Sequence, residues 1–166
     1  MRPNQSPRRQ PRDLLLIGYG NTLRGDDGVG VRVAEAVDQW QLPGIRAITC
    51  QQLTPELAEA VAGAGQVFFV DAAVDAPREV RLRPLEPALS SQLMAHAADP
   101  RTLLAIARDV FGSCPPAWWL TIPIETTHFS GDLSPLARRG RDQALECLRA
   151  WMASPNSTPR PGIARP

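Results

Sequence analysis

Leu14–Ile17 is an unbroken apolar run that stops at Gly18, the pattern of a strand covered on both faces. Val29, Val33, Ala36, Val37 and Trp40 then recur at helical spacing, which predicts a helix over residues 28–40. Gly44 closes the connection, and residues 46–50 read as a second strand. Thr54-Pro55 has the form of an N-cap followed by proline at the first helical position, so a helix is expected over about 55–63. Val67-Phe68-Phe69-Val70 is a second fully apolar run and should be a buried strand ending at Asp71.

The segment 79–85, EVRLRPL, alternates charged with apolar residues. Only residues 72–78 separate it from the preceding strand, too few for a parallel crossover, which takes about a dozen. It is therefore expected to lie antiparallel at a sheet edge, where Pro84 is tolerated. A helix over about 100–111 should start at Pro100 and turn Leu103, Leu104, Ala107 and Val110 or Phe111 inward. Residues 118–124 read as the last strand. Ser134-Pro135 should cap a final helix carrying Leu136, Ala144, Leu145, Leu148, Trp151 and Met152. The order of elements predicts an α/β fold, a three-layer α/β/α sandwich with a mixed, mostly parallel sheet of about five strands.

Composition sets the limits of this domain. Residues 1–12 and 154–166 are proline-rich, contain arginine and no acid, and read as disordered tails around a single domain over 13–153. That body holds 12 Arg against 17 Asp and Glu, a net charge of −5. It shows no basic stripe and no aromatic platform, so nucleic acid is not an expected partner. No apolar run approaches the length of a membrane span, and the N-terminus lacks the apolar stretch of a signal peptide, so a cytoplasmic protein is expected. The three cysteines, Cys50, Cys114 and Cys147, are scattered and form no CxxC pair; each is expected to be a small buried hydrophobe. The chain contains no lysine, which excludes Schiff-base chemistry and a P-loop.

The chemistry concentrates in residues 17–30, IGYGNTLRGDDGVG. A dinucleotide fingerprint would need glycine where Leu23 stands and an acid near residues 47–50, where none occurs. Two aspartates at a helix start also disfavour a pyrophosphate. Asp26 is expected to cap the helix, leaving Asp27 as the functional acid, held ionised by nearby backbone N–H groups. Asp71, at the carboxyl end of a buried strand, would reach the same edge if the first and third strands are parallel; the alternative is that it caps the turn that follows. His96 and His128 are the only histidines, and spacing alone does not choose between them. Two carboxylates and one imidazole would make an oxygen–nitrogen site for a divalent transition metal.

Residues 14–37, LLLIGYGNTLRGDDGVGVRVAEAV, resemble the N-terminal signature of the endopeptidases that mature the large subunit of nickel-iron hydrogenases. The resemblance continues at VFFVDAA, 67–73, and HAADPRTLLAIA, 96–107. Residues 117–131 depart from it, since Thr121 stands where a glycine is expected. The resemblance implies an enzyme that removes a C-terminal peptide from the nickel-loaded precursor of the NiFe hydrogenase large subunit, its protein partner. It further implies that Asp27, Asp71 and His96 are the catalytic and metal-contacting residues, with nickel supplied by the substrate. His128 has no counterpart. Either nickel polarises the scissile carbonyl or lowers the pKa of an attacking water, or Asp27 and Asp71 activate water as an aspartyl-type pair; the favoured reading is that nickel positions the substrate and an Asp activates the water. In this account Gly28 and Gly30 admit a bulky partner to the helix start, and Asn21 either orients a carboxylate or braces the turn. The alternative function is a nickel- or nucleotide-binding sensor or assembly module without proteolytic activity.

Overall fold

The computed structural model describes residues 13–74, 78–89 and 99–153. Along the chain lie β1 (Leu14–Tyr19), α1 (Val29–Asp38), β2 (Ile45–Cys50), α2 (Leu57–Gly63), β3 (Gln66–Ala73), β4 (Arg81–Leu85), α3 (Pro100–Phe111), β5 (Ala117–Pro123) and α4 (Pro135–Ala153). The five strands form one sheet in the order β2-β1-β3-β5-β4. All neighbours are parallel except β4, which pairs antiparallel with β5 at the edge. The short connection from β3 and the alternating residues of β4 thus had the expected consequence. Among the described residues no helix is long and apolar enough to cross a membrane.

Strand periodicity divides the core into two layers. Leu14 and Leu16 of β1, Phe68 and Val70 of β3, and Leu120 and Ile122 of β5 pack on one face with Val33 and Val37 of α1 and Ala144 and Leu148 of α4. Their sequence neighbours Leu15, Ile17, Tyr19, Val67 and Phe69 face the opposite way, onto Val61 of α2 and Leu103, Leu104 and Ala107 of α3. Both faces of β1 and β3 are therefore covered, which is why these strands read as continuous apolar runs. Phe68 is further enclosed by aromatic rings, stacked on Trp118 at 5.2 Å and edge-on to Trp151 at 5.0 Å.

Some boundaries and orientations differ from expectation. The helix α2 begins at Leu57, after a turn in which Leu57 N–H donates to the Thr54 carbonyl at 3.1 Å, so Thr54 opens a turn instead of capping the helix. At the end of α3, Val110 and Phe111 are exposed, and Gly112 stops the helix in a left-handed conformation. Cys114 is exposed as well, while Cys50 and Cys147 are partly buried. The strand β3 runs past Asp71 to Ala73, because its pairing with β5 continues through Asp71↔Thr121 to Ala73↔Pro123. Its pairing with β1 nevertheless ends at Gly18↔Val70, so Asp71 is the first residue of β3 beyond that pairing.

Glycine sets how closely α1 approaches the sheet. A Cβ on Gly30 would collide with the Val70 carbonyl oxygen and reach 2.8 Å from that of Tyr19; one on Gly18 would collide with the Gly30 carbonyl. The first turn of α1 thus lies directly on the backbone of β1 and β3. Gly28 is filled in the same way, with Thr22 Cα 2.7 Å from a Cβ there. These glycines admit the protein's own strands and loop, the tight packing of the turn on the sheet. Gly30→Ala is predicted to lower unfolding stability by about 2 kcal/mol, the usual penalty for overpacking, measurable by chemical denaturation. A variant as stable as the wild type would show that the helix can lift off the sheet freely.

Candidate active site

The chain order changes direction between β1 and β3: α1 leaves β1 across one face of the sheet, and α2 leads into β3 across the other. Open α/β sheets form their binding crevice at such a point, outside the carboxyl ends of the strands. Here the loop after β1 turns at Gly20, whose φ is +136° and whose missing Cβ makes room for the Asp27 carbonyl. It then enters a short 3-10 turn, Gly25–Gly28, that carries both aspartates.

The two aspartates have opposite surroundings. Asp26 is fully buried. Its carboxylate accepts hydrogen bonds from Ser134 N–H at 2.6 Å, Ser134 Oγ at 2.7 Å, Glu125 N–H at 3.0 Å and Thr126 N–H at 3.3 Å. Burial opposes its charge, but these donors outweigh burial and hold the carboxyl below the usual carboxylate range. The expectation that Asp26 caps α1 is not met. Gly28 occupies that N-cap without a side-chain bond, because the chain enters α1 through the 3-10 turn. Asp26 instead crosses to the start of α4, where Ser134 Oγ accepts from Ala137 N–H at 3.2 Å and caps that helix as the sequence predicts.

Asp27 is half-buried, and its Oδ2 accepts from Asn21 N–H at 2.8 Å. Asn21 Oδ1 accepts from Leu23 N–H at 2.9 Å. The Asn21 side chain thus braces the turn, and its backbone holds the carboxylate. Asp71 is also half-buried and accepts a 2.9 Å hydrogen bond from the Tyr19 hydroxyl. Burial pushes the Asp71 carboxyl up to about 6; the Tyr19 and Ala72 hydrogen bonds oppose this, and the Asp27 charge adds to it. The Tyr19 phenol is raised above its ordinary value, first by burial and then by the charge of Asp71, so it remains a donor. Two carboxylates far apart in sequence, one on the 3-10 turn and one on β3, therefore share one rim, and Asp71 feels the charge of Asp27. One of them changes protonation near neutrality, as acid–base work requires.

Tyr19 is a site residue that the sequence reading missed. It is the only tyrosine of the chain, and its position on the same strand face as Leu15 and Ile17 was the available signal. Of the two histidines, His128 is exposed on the loop between β5 and α4, where its backbone N–H donates to Thr126 Oγ1 at 3.2 Å. His96 lies outside the described residues. Asp99, three positions after it, caps α3 through Arg101 N–H at 2.8 Å and adds to the rise at Tyr19. Among the described residues no three His, Cys, Asp or Glu side chains gather into a metal-holding group.

These environments make opposite pH predictions. The raised Asp71 pKa stabilises the fold fully below the unfolded value near 4, and that contribution is lost as pH rises through about 6. Asp71→Asn should therefore stabilise the protein by on the order of 1 kcal/mol at pH 7 and not at pH 4. Tyr19→Phe should move the Asp71 titration further up, as read from its carboxyl carbon by NMR. Asp26, held low, stabilises above about 4 and loses that contribution as pH falls further. Asp26→Ala should cost on the order of 3 kcal/mol at pH 7, because it strands buried donors. Equal effects of the Asp71 and Asp26 variants on unfolding would contradict this division.

No protein-family model matches this sequence, and no curated protein matches it. Solved structures do. The hydrogenase maturating endopeptidase HybD from E. coli superposes with a TM-score of 0.67 at 20% identity, covering 86% of this chain and 93% of that one. The [NiFe] hydrogenase maturation protease HycI from Thermococcus kodakarensis gives 0.68 at 20% identity, covering 86% and 94%. The endopeptidase HycI from Escherichia coli gives 0.65 at 17% identity, covering 92% and 99%. The sheet that brings Asp27 and Asp71 to one rim is thus the fold of the [NiFe] hydrogenase maturation proteases.

Proposed function

We propose that residues 13–153 form an endopeptidase that removes the C-terminal peptide of a NiFe hydrogenase large-subunit precursor after nickel has been inserted. The observation that carries this reading is the convergence of Asp27 and Asp71 at the switch point between β1 and β3, in a chain with the fold of the maturation proteases. Nickel belongs to the substrate. Carboxylate oxygens and one imidazole suit a borderline divalent ion that keeps open positions. Asp27 and Asp71 each engage one oxygen in a hydrogen bond, to Asn21 N–H and Tyr19 Oη–H, and each carries a second oxygen. His96 is the third proposed ligand, on the strength of the HAADPRTLL resemblance.

The division of labour follows from the environments. Asp27, fixed by the turn, contacts the metal and registers whether the client is loaded. Asp71 offers the client's metal the oxygen that Tyr19 does not hold. As the peptide carbonyl is hydrated, this carboxylate shifts from the metal to take a proton from the attacking water and returns it to the leaving amine. Tyr19 holds that carboxyl in place. A client without nickel lacks the ligand field that fixes its scissile bond against Asp71, so metal loading becomes a condition of cleavage.

The test is a cleavage assay by mass. Nickel-loaded precursor should lose its C-terminal peptide, and nickel-free precursor should not. Asp27→Asn and Asp71→Asn should each slow cleavage at least ~100-fold, the scale of lost acid–base or positioning catalysis. An intact loaded precursor would refute proteolysis and leave a sensor or assembly module. Full activity in Asp27→Asn would refute the residue assignment.

A further inference from the structure

The loop between β5 and α4 pairs with the Asp27 loop through backbone bonds. Ser130 N–H donates to the Leu23 carbonyl at 3.1 Å, and Gly25 N–H donates to the Ser130 carbonyl at 2.8 Å. This parallel bridge sets Arg24 against Ser130, which makes Leu23 and Phe129 the adjacent residues on the two segments. Both are exposed, Leu23 at 61% and Phe129 at 81%.

The pair is held firmly. Buried Asp26 binds the β5–α4 loop at Glu125, Thr126 and Ser134, on both sides of Phe129. Within the loop, Thr126 Oγ1 accepts from His128 N–H at 3.2 Å and Ser130 Oγ accepts from Asp132 N–H at 3.1 Å, bracing the backbone on either side of the ring. A backbone braced in advance presents the two apolar side chains with less conformational freedom left to lose on binding. Leu23 N–H also closes the Asn21 turn that holds Asp27, so the pair is continuous with the acid rim.

We propose that Leu23 and Phe129 form an apolar subsite that receives an uncharged side chain of an extended polypeptide whose scissile bond lies at Asp27 and Asp71. This deepens the endopeptidase reading and rests on it. A single Leu–Phe pair offers far less than the roughly 800 Å² per partner of a stable protein interface, so a second copy of the chain is a poor occupant. Asp27 and Asp132 border the pair together with Arg24 and Arg32, so it carries no basic cluster of the kind that holds an anionic lipid surface. A short segment of chain running along the rim fits the size of the pair. Asp26 is then a positioning residue, which couples the subsite to the acid beside it.

The double variant L23S/F129S separates this role from catalysis. With nickel-loaded precursor it should raise KM on the order of 10-fold with kcat little changed, while Phe129→Leu keeps KM near the wild-type value. An unchanged KM in a double variant that retains its thermal transition would overturn the subsite and leave the endopeptidase intact. Failure of the wild type to cut would refute the endopeptidase reading and the subsite with it. Should the double variant not fold, a photoreactive benzophenone side chain incorporated in place of Phe129 supplies the readout. A crosslink to the C-terminal segment of the precursor supports the subsite; a crosslink elsewhere, or none, overturns it.

Discussion

The first turn of α1 rests on the backbone of β1 and β3 with no side chain between them, and the placement of Asp27 beside Asp71 depends on that contact. Gly30 sits against the carbonyls of Val70 and Tyr19, and Gly18 sits against Gly30. An ordinary helix–sheet contact would place a layer of side chains there and lift the 3-10 turn away from the strand ends. The close approach instead lowers Asp27 to the level at which its charge reaches Asp71, one residue beyond the last pairing of β1 with β3. The glycine-rich sequence is therefore a packing device whose consequence is chemical.

Adjacent aspartates then take different roles by environment alone. Asp26 turns into the protein, where buried donors from the start of α4 and the preceding loop fix its charge. A carboxylate satisfied in this way is a structural tie, and it brings the β5–α4 loop onto the site. Asp27 turns toward the rim and keeps a single tether to Asn21. Asp71 completes the contrast, since burial and a neighbouring like charge push its proton affinity toward neutrality. One fold thus separates a permanently ionised tie from an acid able to exchange a proton.

Much of this was legible in the sequence where the signal was local. The runs at 14–17 and 67–70 announced strands buried on both faces, and the short 72–78 connection forced β4 to the antiparallel edge. Asp27 and Asp71 could be placed at one edge because parallel strands bring their carboxyl ends together. What stayed hidden was long-range. The partners of Asp26 lie about a hundred positions away, at Glu125, Thr126 and Ser134, so helix capping was the nearest local explanation. Val110 and Phe111 continue the apolar pattern of α3 yet are exposed, and which residues of the last turn find a neighbour is a tertiary matter that helical spacing does not encode. Tyr19 lay beyond the expected strand end at Gly18, and only the fold sets its hydroxyl against Asp71.

The central claim is that Asp27 and Asp71 act on one ion carried by the client. Anomalous diffraction from nickel-soaked crystals tests this most directly. The account predicts a single nickel peak bonded to oxygens of both carboxylates, with His96 completing the set. Nickel bound to only one of the two aspartates, or at a position touching neither, would contradict it.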